Sequence, residues 1–266
     1  MTIGIGDGVG LVRTSWGVVR RDPALLWFPI VSTVCLALTA GFWIVQGAYV
    51  YAANGPRLLF VPVVIAGLYS LAFVGVFFSV ALSGAIAQAL DEDGEPSFND
   101  GMNVAWLHLG AIASWAAVSI VVAIAIGFVK SFKGLRLVGD AARIAWSLAT
   151  IFVIPLIAFD DLDVADARQR SFELAKENWR AETGGLGVLN AAVLVPGLLV
   201  YVVARLIADG HVHSLGGKAL VGIVLLCGFG VAVTARVVRQ VFAVELYRTA
   251  TAGGTASGEP AVALTA

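Results

Sequence analysis

Residues 145–179 read AWSLATIFVIPLIAFDDLDVADARQRSFELAKENW. The stretch opens as apolar as a lipid-facing helix. It turns densely charged after Phe159, with Asp160, Asp161, Asp163 and Asp166 in quick succession. A run that ends so abruptly marks a chain leaving hydrocarbon for water. Its second half then carries two helical stripes. Asp166, Arg170, Glu173, Glu177 and Arg180 step by four, three, four and three, while Ala165, Phe172, Ala175 and Trp179 lie on the other side. Asp163, with Asp166 three residues on, forms an acidic variant of the capping box. The junction predicts a membrane span followed by a capped helix in the headgroup region.

Composition extends that reading to the whole chain. The 266 residues are 59% hydrophobic and 13% charged, with a mean hydropathy of +0.90. Soluble domains carry about 25% charged residues, so the chain is expected to be an all-α, polytopic membrane protein. A net charge of −1 leaves no basic footprint for nucleic acid. Cys35 and Cys227 fall inside apolar runs and read as small hydrophobes rather than a disulfide or metal pair. Arginine outnumbers lysine, a hint of a high-GC prokaryotic genome.

A hydrocarbon core of ~30 Å needs about 20 apolar residues of helix. The runs at 24–53, 58–90, 107–129, 184–208 and 219–235 satisfy this. The fourth, Ile144 to Phe159, reaches only about 24 Å. Extended back to Val138 it spans, if Arg143 snorkels and Asp140 sits at the headgroups, with Pro155 as a kink. Six transmembrane helices are expected. No run reads as a signal peptide, so the first should stay as a span.

An amphipathic segment precedes the first, third and fifth spans. Before the first, Val9, Val12, Trp16 and Val19 form one stripe, with Asp7 as the expected cap and Pro23 as the stop. Before the third, Ser97 can cap a helix carrying Phe98, Met102, Ala105 and Trp106. The third copy is the charged half of the opening stretch. The chain therefore reads as three repeats of interfacial helix plus helical hairpin, at about 5–90, 96–160 and 162–249. Trp16, Trp106, Phe172 and Trp179 are the expected interfacial anchors. Residues 250–266 read as a disordered tail. The larger share of the Lys and Arg residues falls on the side of both termini, which predicts cytoplasmic termini in a prokaryotic cell membrane. The basic segment KSFKGLRLVGDAAR is discordant.

Catalytic signatures are absent: there is no HExxH, CxxC, Walker loop or GxSxG. His211 and His213 with Asp209 could hold a metal on a loop, but a solvated turn explains them better, and no metal or cofactor is expected. Stripes of small residues at Gly75, Ser79, Ser83 and Ala87, and at Thr33, Ala37 and Gly41, read as packing seams. The polar positions inside spans are Asn190, Arg205 and His108. The expected function is a non-enzymatic membrane-organising or partner-binding scaffold, with the lipid bilayer as its one implied partner. The alternative is a small-molecule or lipid transporter, which a hydrophilic cavity lined by Asn190 and bundle-facing serines would favour. A membrane enzyme comes third.

GLVRTSWGVVRRDPALL, FNDGM and the opening stretch together resemble an uncharacterised family of prokaryotic six-helix membrane proteins. The resemblance rests on Ala145 and Trp146, on Thr150 to Pro155 with Ile151 replacing an aromatic, and on Arg170, Ser171 and Trp179. It covers nearly the whole chain before the tail. It implies a fold and a location, and no chemistry. A more distant similarity is to the membrane region attached to some glycerophosphodiester phosphodiesterases, without a catalytic portion in these residues.

Overall fold

A computed structural model describes residues 5–53, 60–91, 94, 96–132, 134–160, 164–176, 198, 201–202, 205 and 215–255. Every regular element among the described residues is helical. In order they are α1 (Ile5–Arg21), a 3-10 turn (Pro23–Leu26), α2 (Trp27–Ala52), α3 (Phe60–Leu90), α4 (Phe98–Leu107), α5 (Leu109–Ser131), α6 (Arg136–Ala149), α7 (Val153–Phe159), α8 (164–176) and α9 (Leu215–Thr255). Among the described residues four segments are long and apolar enough to cross a membrane: Pro23–Ala52, Phe60–Leu90, Leu109–Ser131 and Val224–Thr251. The expected fifth span lies outside the described residues apart from four helical positions, Leu198, Tyr201, Val202 and Arg205.

The long helices are apolar all round, so neither face is committed to water. They pair where small residues allow. At Gly67 of α3 an added Cβ would stand 3.2 Å from the Trp43 ring of α2, and the two helices run antiparallel. α3 also meets α5, where the Tyr69 hydroxyl donates to the Ala113 carbonyl at 3.4 Å, and α4, whose Trp106 lies edge-on to Phe77 at 5.2 Å. The short α4 starts as expected, with the Ser97 hydroxyl accepting from the Asp100 N–H. Gly101, the glycine of FNDGM, fixes its seat. A Cβ there would meet the Ala81 carbonyl at 2.5 Å and the Phe28 ring at 2.8 Å, so only glycine lets α4 lie directly on the backbone of α3.

The core sits at one end of the bundle. Leu25 and Phe28, the second half of α3 from Phe77 to Ala89, Ile112 and Trp115 of α5, nearly all of α7, and Val237 to Tyr247 of α9 are buried there. Polar ties close that end. Arg248 donates to the Ala87 carbonyl at 3.0 Å and pairs with Asp91 at 3.2 Å, while Arg21 donates to the Ala89 carbonyl, so two arginines satisfy the last turn of α3. Tyr247 donates to Asp160 at 2.7 Å, fastening α9 to the end of α7.

The stretch 145–179 corrects the expected fourth span. It is not one helix from Val138 to Phe159. α6 stops at Ala149, residues 150–152 turn, and α7 restarts at Val153. Pro155 explains the break: it has no N–H, and in a continuous helix its ring would strike the carbonyl one turn back. Restarting at Val153 puts Pro155 in a first turn, where that N–H would have no partner anyway. The break strands carbonyls at the end of α6. Thr150 donates back to the Trp146 carbonyl at 2.7 Å, and Ser171 of α8 donates to the Ala149 carbonyl at 2.7 Å. The charged half of the stretch thus folds back to repair its apolar half. α6 itself is amphipathic, with Arg136, Asp140, Arg143 and Ser147 along one stripe. Lys130 of α5 bonds Asp140 at 2.6 Å, which ties the start of α6 to the end of α5.

Two smaller expectations also change, the cap of α1 and the start of the tail. α1 begins at Ile5, before Asp7, so Asp7 is not its cap. Its packed face is Leu11, Val12, Ser15, Val18 and Val19, so Val12 and Val19 of the expected stripe pack inward while Trp16 stands on the flank. In α8 the buried face is Val164, Ala167, Ser171, Leu174 and Ala175, so Ala165 and Phe172 are exposed. α9 continues through Thr255, so the first residues of the expected tail are helical; residues 256–266 lie outside the described ones.

Candidate functional site

α9 carries polar side chains through an otherwise apolar segment, and burying such groups is costly unless each finds a partner. Most do. Gln240 donates to the Ser83 hydroxyl of α3 at 2.8 Å. Arg239 reaches the Ser147 hydroxyl of α6 at 3.3 Å. Glu245 accepts from Ser15 at 2.6 Å and from Thr14 at 3.1 Å, which pins α1 along α9. Arg236, which is exposed, makes no hydrogen bond or ion pair with the described residues.

Arg236 lines a small cavity between α2, α3 and α9, together with Phe28, Pro29, Ser32, Phe78, Ser79, Leu82 and Gln240. The cavity has room for one water. Ser32 is fully buried, and its hydroxyl has no partner. Ser79 instead donates to the Gly75 carbonyl at 2.8 Å. Among the described residues no carboxylate lines the cavity. The donors left over, a guanidinium and one hydroxyl, suit a water or an anionic oxygen.

A family of unknown function (DUF6159) matches residues 58–257, which is α3 through α9. The chain belongs to this family. The family brings no activity, and no curated protein and no solved structure matches the chain. In this DUF6159 protein the match takes in the α3 and α9 walls of the cavity, whereas Phe28, Pro29 and Ser32 precede it.

Of the polar positions expected from the sequence, neither His108 nor Arg205 lines this cavity. His108 sits at the joint between α4 and α5, its Nδ1 2.7 Å from the Val104 carbonyl. Arg205 is helical and exposed. Asn190, Trp179, Asp209, His211 and His213 lie outside the described residues. Among the described residues no three His, Cys, Asp or Glu side chains cluster closely enough to hold a metal ion. Cys35 is half-buried and Cys227 exposed, both as free thiols.

Three of the expected anchors do share one arrangement. Ser15, Ala105 and Ser171 are fully buried in α1, α4 and α8. Each is followed at once by an exposed ring: Trp16 at 48%, Trp106 at 59% and Phe172 at 60% exposure. At about 100° per residue the ring stands on the flank of the packed face, on the same hand in all three helices. The cavity residues Ser32, Arg236 and Gln240 escape sequence reading. The available signal was Arg236 and Gln240 at i and i+4 inside an apolar helix.

Proposed function

We propose that this protein is a non-enzymatic, multi-pass protein of a prokaryotic cell membrane that organises the bilayer or holds a partner at its surface. It crosses six times in three units, with α6 and α7 together as the fourth crossing and both termini in the cytoplasm. α1, α4 and α8 lie in the cytoplasmic leaflet. The observation that carries this reading is the triple recurrence of a buried small residue followed by an exposed ring. A helix so built has a fixed inner face and offers an aromatic sideways, at the depth where tryptophan partitions best. The one-water size of the cavity between α2, α3 and α9 gives that cavity no room for a transported solute.

Reconstitution into vesicles tests the reading. The wild-type protein should shift vesicle diameters toward smaller values by light scattering. A Trp16→Ser, Trp106→Ser, Phe172→Ser variant should lose most of that shift while keeping its helical circular dichroism. Saturable flux of a solute or lipid across the same vesicles, untouched by the triple variant, would make the protein a transporter instead.

A further inference from the structure

We infer that Arg236 and Ser32 form a site for a phosphate oxyanion, placed to take the headgroup phosphate of an anionic phospholipid. Three observations carry it. Arg236 is an exposed cation without a partner among the described residues, on a helix where the neighbouring Arg239, Gln240 and Glu245 are bonded. Ser32 is a fully buried hydroxyl, unpartnered, on the wall of the same cavity. Among the described residues the other polar side chains there are Ser79, which donates to the Gly75 carbonyl, and Gln240, which donates to Ser83. A site with a guanidinium, a spare hydroxyl and no carboxylate selects an anion, and a guanidinium fork matches phosphate geometry.

Depth favours a lipid over a dissolved ion. On α9 the large exposed apolar side chains end at Val231, five residues before Arg236, or about 7.5 Å along the helix. On α2 they resume at Val34, two residues beyond Ser32, with exposed Trp27 on the other side. The cavity mouth therefore lies at the edge of the lipid-facing belt, where headgroup phosphates are the abundant anions. A cavity of one-water size fits this placement. The phosphate sits at the mouth against Arg236, and one water inside relays it to Ser32.

The inference rests on the membrane reading above, and native mass spectrometry of full-length protein from nanodiscs can fail either one separately. With equal phosphatidylglycerol and phosphatidylcholine supplied, wild type should retain one phosphatidylglycerol, and Arg236→Gln should hold it about tenfold more weakly. Arg239→Gln, which removes the same charge one turn away, should hold it as wild type does. Ser32→Ala should weaken it several-fold without unfolding earlier, since that hydroxyl has no partner to lose, and it decides the matter if Arg236→Gln does not fold. Displacement by millimolar inorganic phosphate would assign the site to the free anion; resistance assigns it to lipid. Equal retention by wild type, Arg236→Gln and Ser32→Ala, or equal loss in Arg236→Gln and Arg239→Gln, overturns the site while leaving the membrane reading intact. A wild-type chain that does not enter nanodiscs overturns the membrane reading first.

Discussion

Helix α3 has two halves built from the same kind of residue and living in different surroundings. From Phe77 to Ala89 nearly every large side chain is buried against α4, α7 and α9, whereas Val61, Val64, Ile65 and Leu68 are exposed. The same division runs through α2, α5 and α9. Apolar surface on that scale is stable only if hydrocarbon replaces water around it. The packed end behaves differently. There the chain itself is the solvent, side chains interdigitate at crystal-like density, and polar groups need named partners. The difference teaches that apolar sequence alone does not place a helix in lipid; α7 is as apolar as any span and is buried in protein.

Exchanging one phenylalanine at each end breaks this comparison most directly. Phe152 is fully buried at the turn between α6 and α7, while Phe128 is 63% exposed on α5. Phe152→Ala should cost about 3–5 kcal/mol through lost contacts and a cavity. Phe128→Ala should cost about 1 kcal/mol or less, as lipid refills the space. Unfolding titrations in bicelles would measure both, and equal losses would refute the two-solvent division.

Gly101→Ala comes next. The added Cβ meets the Ala81 carbonyl, which is backbone and cannot swing aside, together with the Phe28 ring. A loss of about 1–3 kcal/mol is expected. Gly41, with open space around its position, should accept alanine with no loss. If the two substitutions behave alike in the same titration, the close seat of α4 on α3 is wrong.

The spans were legible because hydrophobicity and length are local properties, and the boundaries Trp27–Ala52, Phe60–Leu90 and Leu109–Ser131 fall close to the apolar runs. The Ser97 cap was legible for the same reason, its partner being three residues away. What required distance was not. Pro155 announced a kink, but the repair of the break depends on Ser171 meeting Ala149 across 22 residues. The packed face of α1 turns on Ser15 reaching Glu245, 230 residues away, so the stripe through Trp16 looked equally good from sequence. The cavity is harder still. Ser32 is one small polar residue among many in α2, and nothing local distinguishes it from Thr33, which returns its hydroxyl to the Pro29 carbonyl. A buried hydroxyl that lacks a partner is visible only once its neighbours are placed.

The smallest expected effects set one polar tie at each end against the other. At the packed end, Ser15 is fully buried and donates to Glu245, so Ser15→Ala leaves that carboxylate short of a donor and should cost about 1–3 kcal/mol. At the far end, Lys130 and Asp140 pair at 2.6 Å with both side chains partly exposed. Pairs so placed add little to stability, because water screens them and two flexible side chains must be ordered. Asp140→Asn should therefore leave the unfolding midpoint where it was. Its effect belongs to the turn alone, as faster motion of a spin label at Leu135. Equal motion of that label in wild type and Asp140→Asn would mean that Lys130 does not hold the turn through Asp140, and that the far end is fastened by lipid and helix packing alone.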